Sequence, residues 1–175
     1  DRLHELIAAN EKLAFLSSHA PLTGLGNRRA FEEYIDHVES VRSEEQAIGL
    51  LLFDLDGLKE INDAFGHAVG DVALNNVARA LDSNLSDRGM VARIGGDEFA
   101  AIFPILDGPR VLTKLADSVL SSVNAVHDRN DPAASITIGG AVSTSKDESI
   151  RDLIQRADAA LYEAKRAGKM QSVIR

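Results

Sequence analysis

The stretch Val91-Ala-Arg-Ile-Gly-Gly-Asp-Glu-Phe-Ala-Ala-Ile-Phe103 sets the topology of this chain. Two apolar runs flank Gly95-Gly96, the signature of a β-hairpin. In a two-residue turn, Ile94 faces Asp97 and Arg93 faces Glu98. That register sends Asp97 and Glu98 to opposite sides of the sheet, so the two adjacent acids are not expected to do the same job.

Upstream, Ile48–Phe53 is a continuous apolar run, as expected of a strand buried on both faces, and it stops at Asp54-Leu-Asp56. Residues 57–65 read as a short helix or turn and Gly66–Gly70 as a loop. Asp71 then opens a helix with Leu74, Val77, Ala78 and Leu81 on one face. Downstream, Pro109 suits the first turn of a helix that buries Val111 or Leu112, Leu115, Val119, Leu120 and Val123. Ile136–Val142 reads as a strand with a glycine irregularity. Ser149 and Asp152 approximate a capping box for a helix carrying Ile150, Leu153, Ile154, Ala157, Leu161 and Ala164, stopped by Gly168. Gln171–Ile174 reads as an added edge strand. Before the first strand, Asn27 is placed to cap a helix whose core face is Phe31, Tyr34, Ile35 and Val38.

The order is βαββαβ, which predicts an α+β fold: a ferredoxin-like core with a mainly antiparallel sheet surrounded by helices. It also predicts that the hairpin lies beside the strand ending at Asp54. Residues 1–18 read as an N-terminal linker helix and 19–175 as the domain. In the linker, Leu3, Leu6, Asn10, Leu13 and Ser17 fall at 3,4,3,4 spacing, a short heptad seam with a polar residue suited to fixing register. The same pattern also suits a lone amphipathic helix packed on its own domain.

At 175 residues the chain is one domain, large enough to bury roughly 70% of its unfolded surface. The absence of cysteine excludes a disulfide framework, a thiolate zinc site and a cysteine nucleophile. A net charge of −8 argues against a general nucleic-acid binder. No apolar run approaches the roughly 18 residues of a membrane span, so no direct membrane contact is expected of this segment. A chain that opens on Asp1 without a leader pattern is expected to be a segment of a longer protein.

Asp54 and Asp56 share a strand face if the strand continues that far, and the hairpin tip can bring Asp97 and Glu98 near them. Acids gathered from two strands repel one another, so their meeting calls for a cation. Magnesium suits them, because it takes one or two carboxylates, keeps waters and accepts phosphate oxygens. The alternative is a turn after the strand and a solvated hairpin shoulder. Asn62 and Asp71 can read a guanine edge, or can be a turn residue and an N-cap. Lys165, Arg166 and Lys169 complement the dipole of the last helix and are positioned to meet phosphates if that end faces the site. Gly24-Leu-Gly26 lacks a dinucleotide fingerprint, and there is no phosphate loop of the GxxxxGK[ST] kind.

Four blocks together resemble one family. These are LTGLGNR at 22–28, DLDGLKEINDAFGHAVGD at 54–71, ARIGGDEF at 92–99 and ADAALYEAKRAGK at 157–169. They are similar to the GGDEF domains, the diguanylate cyclases, whose fold resembles polymerase palms and nucleotide cyclases. The resemblance implies condensation of two GTP into cyclic di-GMP with release of pyrophosphate. It implies Asp54, Asp97 and the Leu55 carbonyl as magnesium ligands, with manganese as a substitute and two ions per site. Glu98 would be a further metal or general-base carboxylate. Asn62 and Asp71 would read guanine; Lys59, Lys165 and Lys169, with amides near Gly57 and Leu58, would hold the β- and γ-phosphates. Each domain would bind one GTP, so catalysis would need a homodimer, with the linker helix as the pairing device. An upstream sensory domain and a cytoplasmic location, where GTP is, are expected, the parent chain being free to carry a membrane anchor.

The chain departs from the family pattern in places. Ala20 stands where Asp is usual, which would loosen a contact to the Asn27-Arg28 turn. Gly57-Leu58 replaces the usual His or Arg and Phe. Lys169 replaces Arg, which keeps the charge and loses the bidentate fork. Ser86-Asp-Arg-Gly89 occupies the Arg-x-x-Asp product-inhibition site, so that site is expected to be absent. The alternative function is a catalytically weak GTP-binding module regulating an adjacent effector domain. Relaxed base choice is a third reading, against which Asp71 weighs.

Overall fold

A computed structural model describes residues 2–105, 108–126 and 134–175. Helices α1 (Arg2–Ser18) and α2 (Arg28–Val41) precede strand β1 (Ala47–Asp56). Helices α3 (Leu58–Phe65) and α4 (His67–Leu85) lead into the hairpin of β2 (Met90–Arg93) and β3 (Glu98–Ile105). Then come α5 (Arg110–Ala125), β4 (Ser135–Ser143), α6 (Ile150–Arg166) and β5 (Ser172–Ile174).

The sheet order is β2-β3-β1-β4-β5, with β5 parallel to β4 and the other pairs antiparallel. The first four strands have the ferredoxin-like order, and β3 lies beside β1 as the hairpin predicts. Ile48 to Phe53 are all buried because helices cover both faces. Leu51, Phe53 and Leu55 pack with Leu74, Val77 and Leu81 of α4 and with Leu112 and Val119 of α5. Ile48, Leu50 and Leu52 pack with Phe31 and Ile35 of α2 and with Ile150, Leu153 and Leu161 of α6.

The capping expectations hold at two helices. Asn27 Oδ1 accepts from the Ala30 amide at 2.9 Å, and Ser149 Oγ accepts from the Asp152 amide at 3.1 Å. Asn27 also ties α1 to α2, through its amide to the Ser18 carbonyl and its Nδ2 to the Ser17 carbonyl. The substitution at Ala20 leaves that junction intact: its amide donates to the Leu25 carbonyl and its side chain is buried.

One expectation needs correction. Residues 67–70 are not loop: α4 begins at His67 behind Gly66, so Asp71 is the fifth residue of the helix and not its N-cap. Gly66, with φ of 92°, turns the chain sharply enough for α4 to start at once.

Helix α6 rests directly on β4. A Cβ at Gly139 would run into the Leu161 amide nitrogen and come within 2.5 Å of the Ala157 carbonyl oxygen. Backbone contacts of this kind cannot relax by a rotamer change. Gly139→Ala is therefore expected to lower stability by about 2 kcal/mol, read as an earlier urea midpoint with unchanged slope. An unaltered midpoint would contradict the close approach.

Candidate active site

Strand β1 runs on through Asp56, so Asp54 and Asp56 do share the face covered by α2 and α6. Asp54 pairs with Glu98 across β3 and with Thr137 across β4. Lys165, at the end of α6, reaches down to it, with Nζ 2.8 Å from Asp54 Oδ2.

The two acids of β1 have different surroundings. Asp56 accepts hydrogen bonds on both oxygens, from Thr137 Oγ1 at 2.7 Å and Ser135 Oγ at 3.0 Å. Asp54 has the ammonium instead. Burial raises the pKa of Asp54; the hydrogen bond and charge of Lys165 pull it down, and Asp97 and Asp56 push it up again. Burial works against the charge on Lys165, but the bond to Asp54 and the charges of Asp54, Asp97 and Glu98 hold its pKa above the ordinary lysine value. Burial, the largest influence, leaves the Asp54 carboxyl above its ordinary range even with Lys165 beside it.

The hairpin tip differs from the expected register. Arg93 pairs with Phe99, and the Ile94 amide donates to the Glu98 carbonyl at 2.9 Å. The turn is Gly95-Gly96-Asp97, one residue longer than a two-residue loop. Three contacts explain the slip. The Leu55 amide takes the Asp97 carbonyl at 2.9 Å, Arg93 Nη2 takes the Gly96 carbonyl at 2.7 Å, and Arg28 Nε takes the Ile94 carbonyl at 2.9 Å.

The expected inequivalence of the two acids therefore has another origin. Asp97 belongs to the turn, bonded through its carbonyl to β1. Glu98 is the first residue of β3, and its side chain folds back over Gly95, where a Cβ would collide with it. Glu98 lines a cavity of about 350 Å³ between α2 and α6, together with Phe31, Ile35, Ile154 and Leu161. Nothing lies within 4 Å of a Cβ built on Gly96, so internal packing does not require glycine there.

A second feature adjoins β1. Gly57, with φ of 72°, turns the chain from β1 straight into α3. Asn62 of α3 packs on the buried Gly70 of α4, where a Cβ would clash with its Oδ1. That oxygen is buried and has no hydrogen-bond partner among the described residues. Asp71 is exposed at the next position. An unpaired buried acceptor is costly, and an external donor would satisfy it.

The remaining cations are placed unequally. Lys59 is exposed on α3 and Lys169 is exposed beyond α6, each without an ion pair among the described residues. Lys169 and Met170 have φ of 62° and 50°, left-handed values that a non-glycine residue takes at a cost of roughly 1–2 kcal/mol each. Arg166 points elsewhere, its guanidinium carbon 5.9 Å from the Tyr162 ring centroid.

The fold thus brings Asp54, Asp97 and Lys165 together, with Glu98 beside them. It sets Asn62 and Asp71 in a separate notch, joined to β1 through Gly57 and Leu58. Reading the residues alone overlooked Thr137, Ser135, Gly70 and the two clamping arginines. The only trace of the hydroxyls was their i, i+2 spacing at the start of a strand whose next five residues are apolar or glycine.

Among the described residues no three His, Asp or Glu side chains gather into a metal cage. The residues still fit magnesium: Asp54 and Asp97, brought together by the bond from the Leu55 amide to the Asp97 carbonyl, match an ion that takes one or two carboxylates and completes its shell with water and phosphate.

Comparison with known proteins identifies the family. The family described as diguanylate cyclase, GGDEF domain, matches residues 17–171. Diguanylate cyclase TpbB of Pseudomonas aeruginosa is 36% identical over 165 residues, covering 91% of this chain and 38% of TpbB. Diguanylate cyclase VdcA of Vibrio cholerae is 37% identical over 173 residues, 96% of this chain and 49% of VdcA. The chain therefore spans less than half of each of these curated relatives. The crystal structure of the coiled coil and GGDEF domain of DgcB from Caulobacter crescentus, in complex with c-di-GMP, superposes with a TM-score of 0.87 at 29% identity. That match covers 99% of this chain and 94% of the other. On sequence and fold, the chain belongs to the GGDEF domain family of diguanylate cyclases.

Proposed function

We propose that this domain is a diguanylate cyclase, condensing two GTP into cyclic di-GMP with release of two pyrophosphates. The observation that carries this reading is the meeting of Asp54, Asp97 and Lys165 at one end of β1 and β3. Two carboxylates from neighbouring strand ends, next to a cation, suit a metal-bound triphosphate.

Asn62 and Asp71 bind guanine. The unpaired Asn62 Oδ1 and the Asp71 carboxylate accept from its N–H groups. The free amides at the start of α3, near Gly57 and Leu58, meet the phosphates together with Lys59, Lys165 and Lys169. Divalent ions, two per site and held by Asp54, Asp97, Glu98 and the Leu55 carbonyl, would activate the 3′-oxygen and neutralise the leaving pyrophosphate. Glu98 takes the proton of the attacking 3′-hydroxyl. The oxygen bonds to the α-phosphorus of the second GTP as the bond to pyrophosphate breaks, and a second such step closes the ring.

Each domain supplies half of the reacting pair, so two must face each other. Residues 1–18 are the pairing device and 19–175 the cyclase domain. Leu6 and Leu13, a heptad apart with Asn10 between, are 68% and 65% exposed and find no cover in one chain. Leu3, also of the proposed seam, lies outside the described side chains. The solved DgcB relative contains a coiled coil, which supports pairing through this helix.

The product-inhibition site is absent in this reading. Gly89 stands at the position of its aspartate, and a Cβ there would meet the Ile102 carbonyl oxygen and lie 2.7 Å from Phe103 Cβ. Ser86→Arg with Gly89→Asp is therefore expected to destabilise the domain without creating product binding, as measured by calorimetry with cyclic di-GMP. Tight product binding to the natural sequence that is lost on altering Ser86–Gly89 would refute the absence.

Incubation with GTP and magnesium is expected to yield cyclic di-GMP, and chelation to stop it. Asp97→Ala is expected to lower turnover by at least about 100-fold. GTP binding without product, even at high protein concentration, would leave the weak regulatory module as the answer. Gly70→Ala displaces Asn62 and is expected to weaken GTP binding about tenfold while leaving ATP binding as weak as before. Equal affinity of the variant and the natural sequence for GTP would remove Asn62 from the base site.

A further inference from the structure

The two acids of β1 divide the labour of holding the phosphate-binding end of α6. We propose that Asp56 and Thr137 are positioning residues that hold the Gly168–Met170 turn, and hence Lys169, in register with Asp54 and Lys165. This rests on the reading of Lys169 as a phosphate ligand.

The case begins with backbone geometry. Gly168, Lys169 and Met170 all have positive φ, at 124°, 62° and 50°. Glycine adopts such values freely, but two consecutive residues with side chains do so only where their surroundings hold them. The Lys169 amide donates to the Ala164 carbonyl at 3.2 Å, which ties the turn to its own helix. The Met170 amide donates to Thr137 Oγ1 at 3.2 Å, which ties it to the sheet.

The direction of that second tie can be worked out. An amide can only donate, so the Thr137 oxygen accepts from Met170, and the single hydroxyl proton is left for another partner. That partner is Asp56 Oδ1, 2.7 Å away. Thr137 is fully buried, so its hydroxyl has no water to fall back on. The other oxygen of Asp56 accepts from Ser135, its direct neighbour across β4.

Both oxygens of Asp56 therefore hold hydroxyls of β4, which gives it a task different from that of Asp54. Asp54 fixes the ammonium of Lys165 through an ion pair. Asp56, two residues on and facing the same way, fixes the backbone beneath Lys169 through Thr137. The left-handed turn places Lys169 off the helical path it would follow if α6 simply continued.

The test uses the whole chain, magnesium and a GTP analogue with a methylene between its α- and β-phosphates, which cannot be condensed. Thr137→Val keeps the shape and deletes the hydroxyl. It is expected to weaken analogue binding about tenfold, leave GMP binding unchanged and speed hydrogen exchange of the Met170 amide. Thr137→Ser is expected to restore all three. Lys169→Ala should cost about tenfold by itself, and adding Thr137→Val to it should cost nothing more.

Asp56→Ala, which removes the acceptor of the Thr137 hydroxyl, should repeat the pattern if Thr137→Val does not fold. Unchanged analogue affinity in Thr137→Val, an additive loss in the double variant, or an equal loss of GMP binding would each overturn the proposal. A Lys169→Ala variant that binds normally would overturn it too, and would leave the cyclase reading standing if the natural sequence still makes product. Failure of the natural sequence to bind GTP at all would sink both.

Discussion

Strand β1 is covered by helices on both faces, so each polar group at its carboxyl end must find a partner in a neighbouring element. Asp54 finds Lys165 from α6, Asp56 finds two hydroxyls from β4, and the Leu55 amide finds the Asp97 carbonyl from the hairpin turn. The candidate site is where these obligations meet. Three parts of the chain far apart in sequence are drawn to one sheet edge because a buried strand cannot end there unpaired.

The hairpin shows how a small backbone difference changes the chemistry. A slip of one residue exchanges the faces of a strand's side chains. With the three-residue turn, Glu98 is opposite Asp54 and beside the cavity between α2 and α6, while Asp97 stays at the tip, against β1. The arginines that clamp the Ile94 and Gly96 carbonyls come from α2 and from β2. The turn is thus stitched to the same region that holds the end of α1, through Asn27 and the bond from the Arg93 amide to the Gly26 carbonyl.

Much of the architecture was legible from the residues. The apolar run from Ile48, the caps at Asn27 and Ser149, and the helical spacing from Leu74 to Leu81 each express a local rule that holds in the fold, while the glycine pair at 95 and 96 marks the hairpin but not its turn length. Asp71 was misplaced as a cap because Gly66 offers no side-chain signal for the start of α4; its left-handed φ makes that start. Gly70 gave no signal either, since the need for a small residue comes from Asn62 on another helix.

What the amino-acid order determined alone was the inventory: the elements, their order, the family, and the acids, amide and cations available for the chemistry. Tertiary structure decided which of them meet. Lys165 lies 111 positions from Asp54, and Thr137 81 positions from Asp56. Local propensity is blind at such separations, because a pairing across the sheet depends on strand register and helix packing summed over the whole domain. The same physics gave Asp54 and Asp56, identical in type and two residues apart, different partners: an ammonium for one and two hydroxyls for the other.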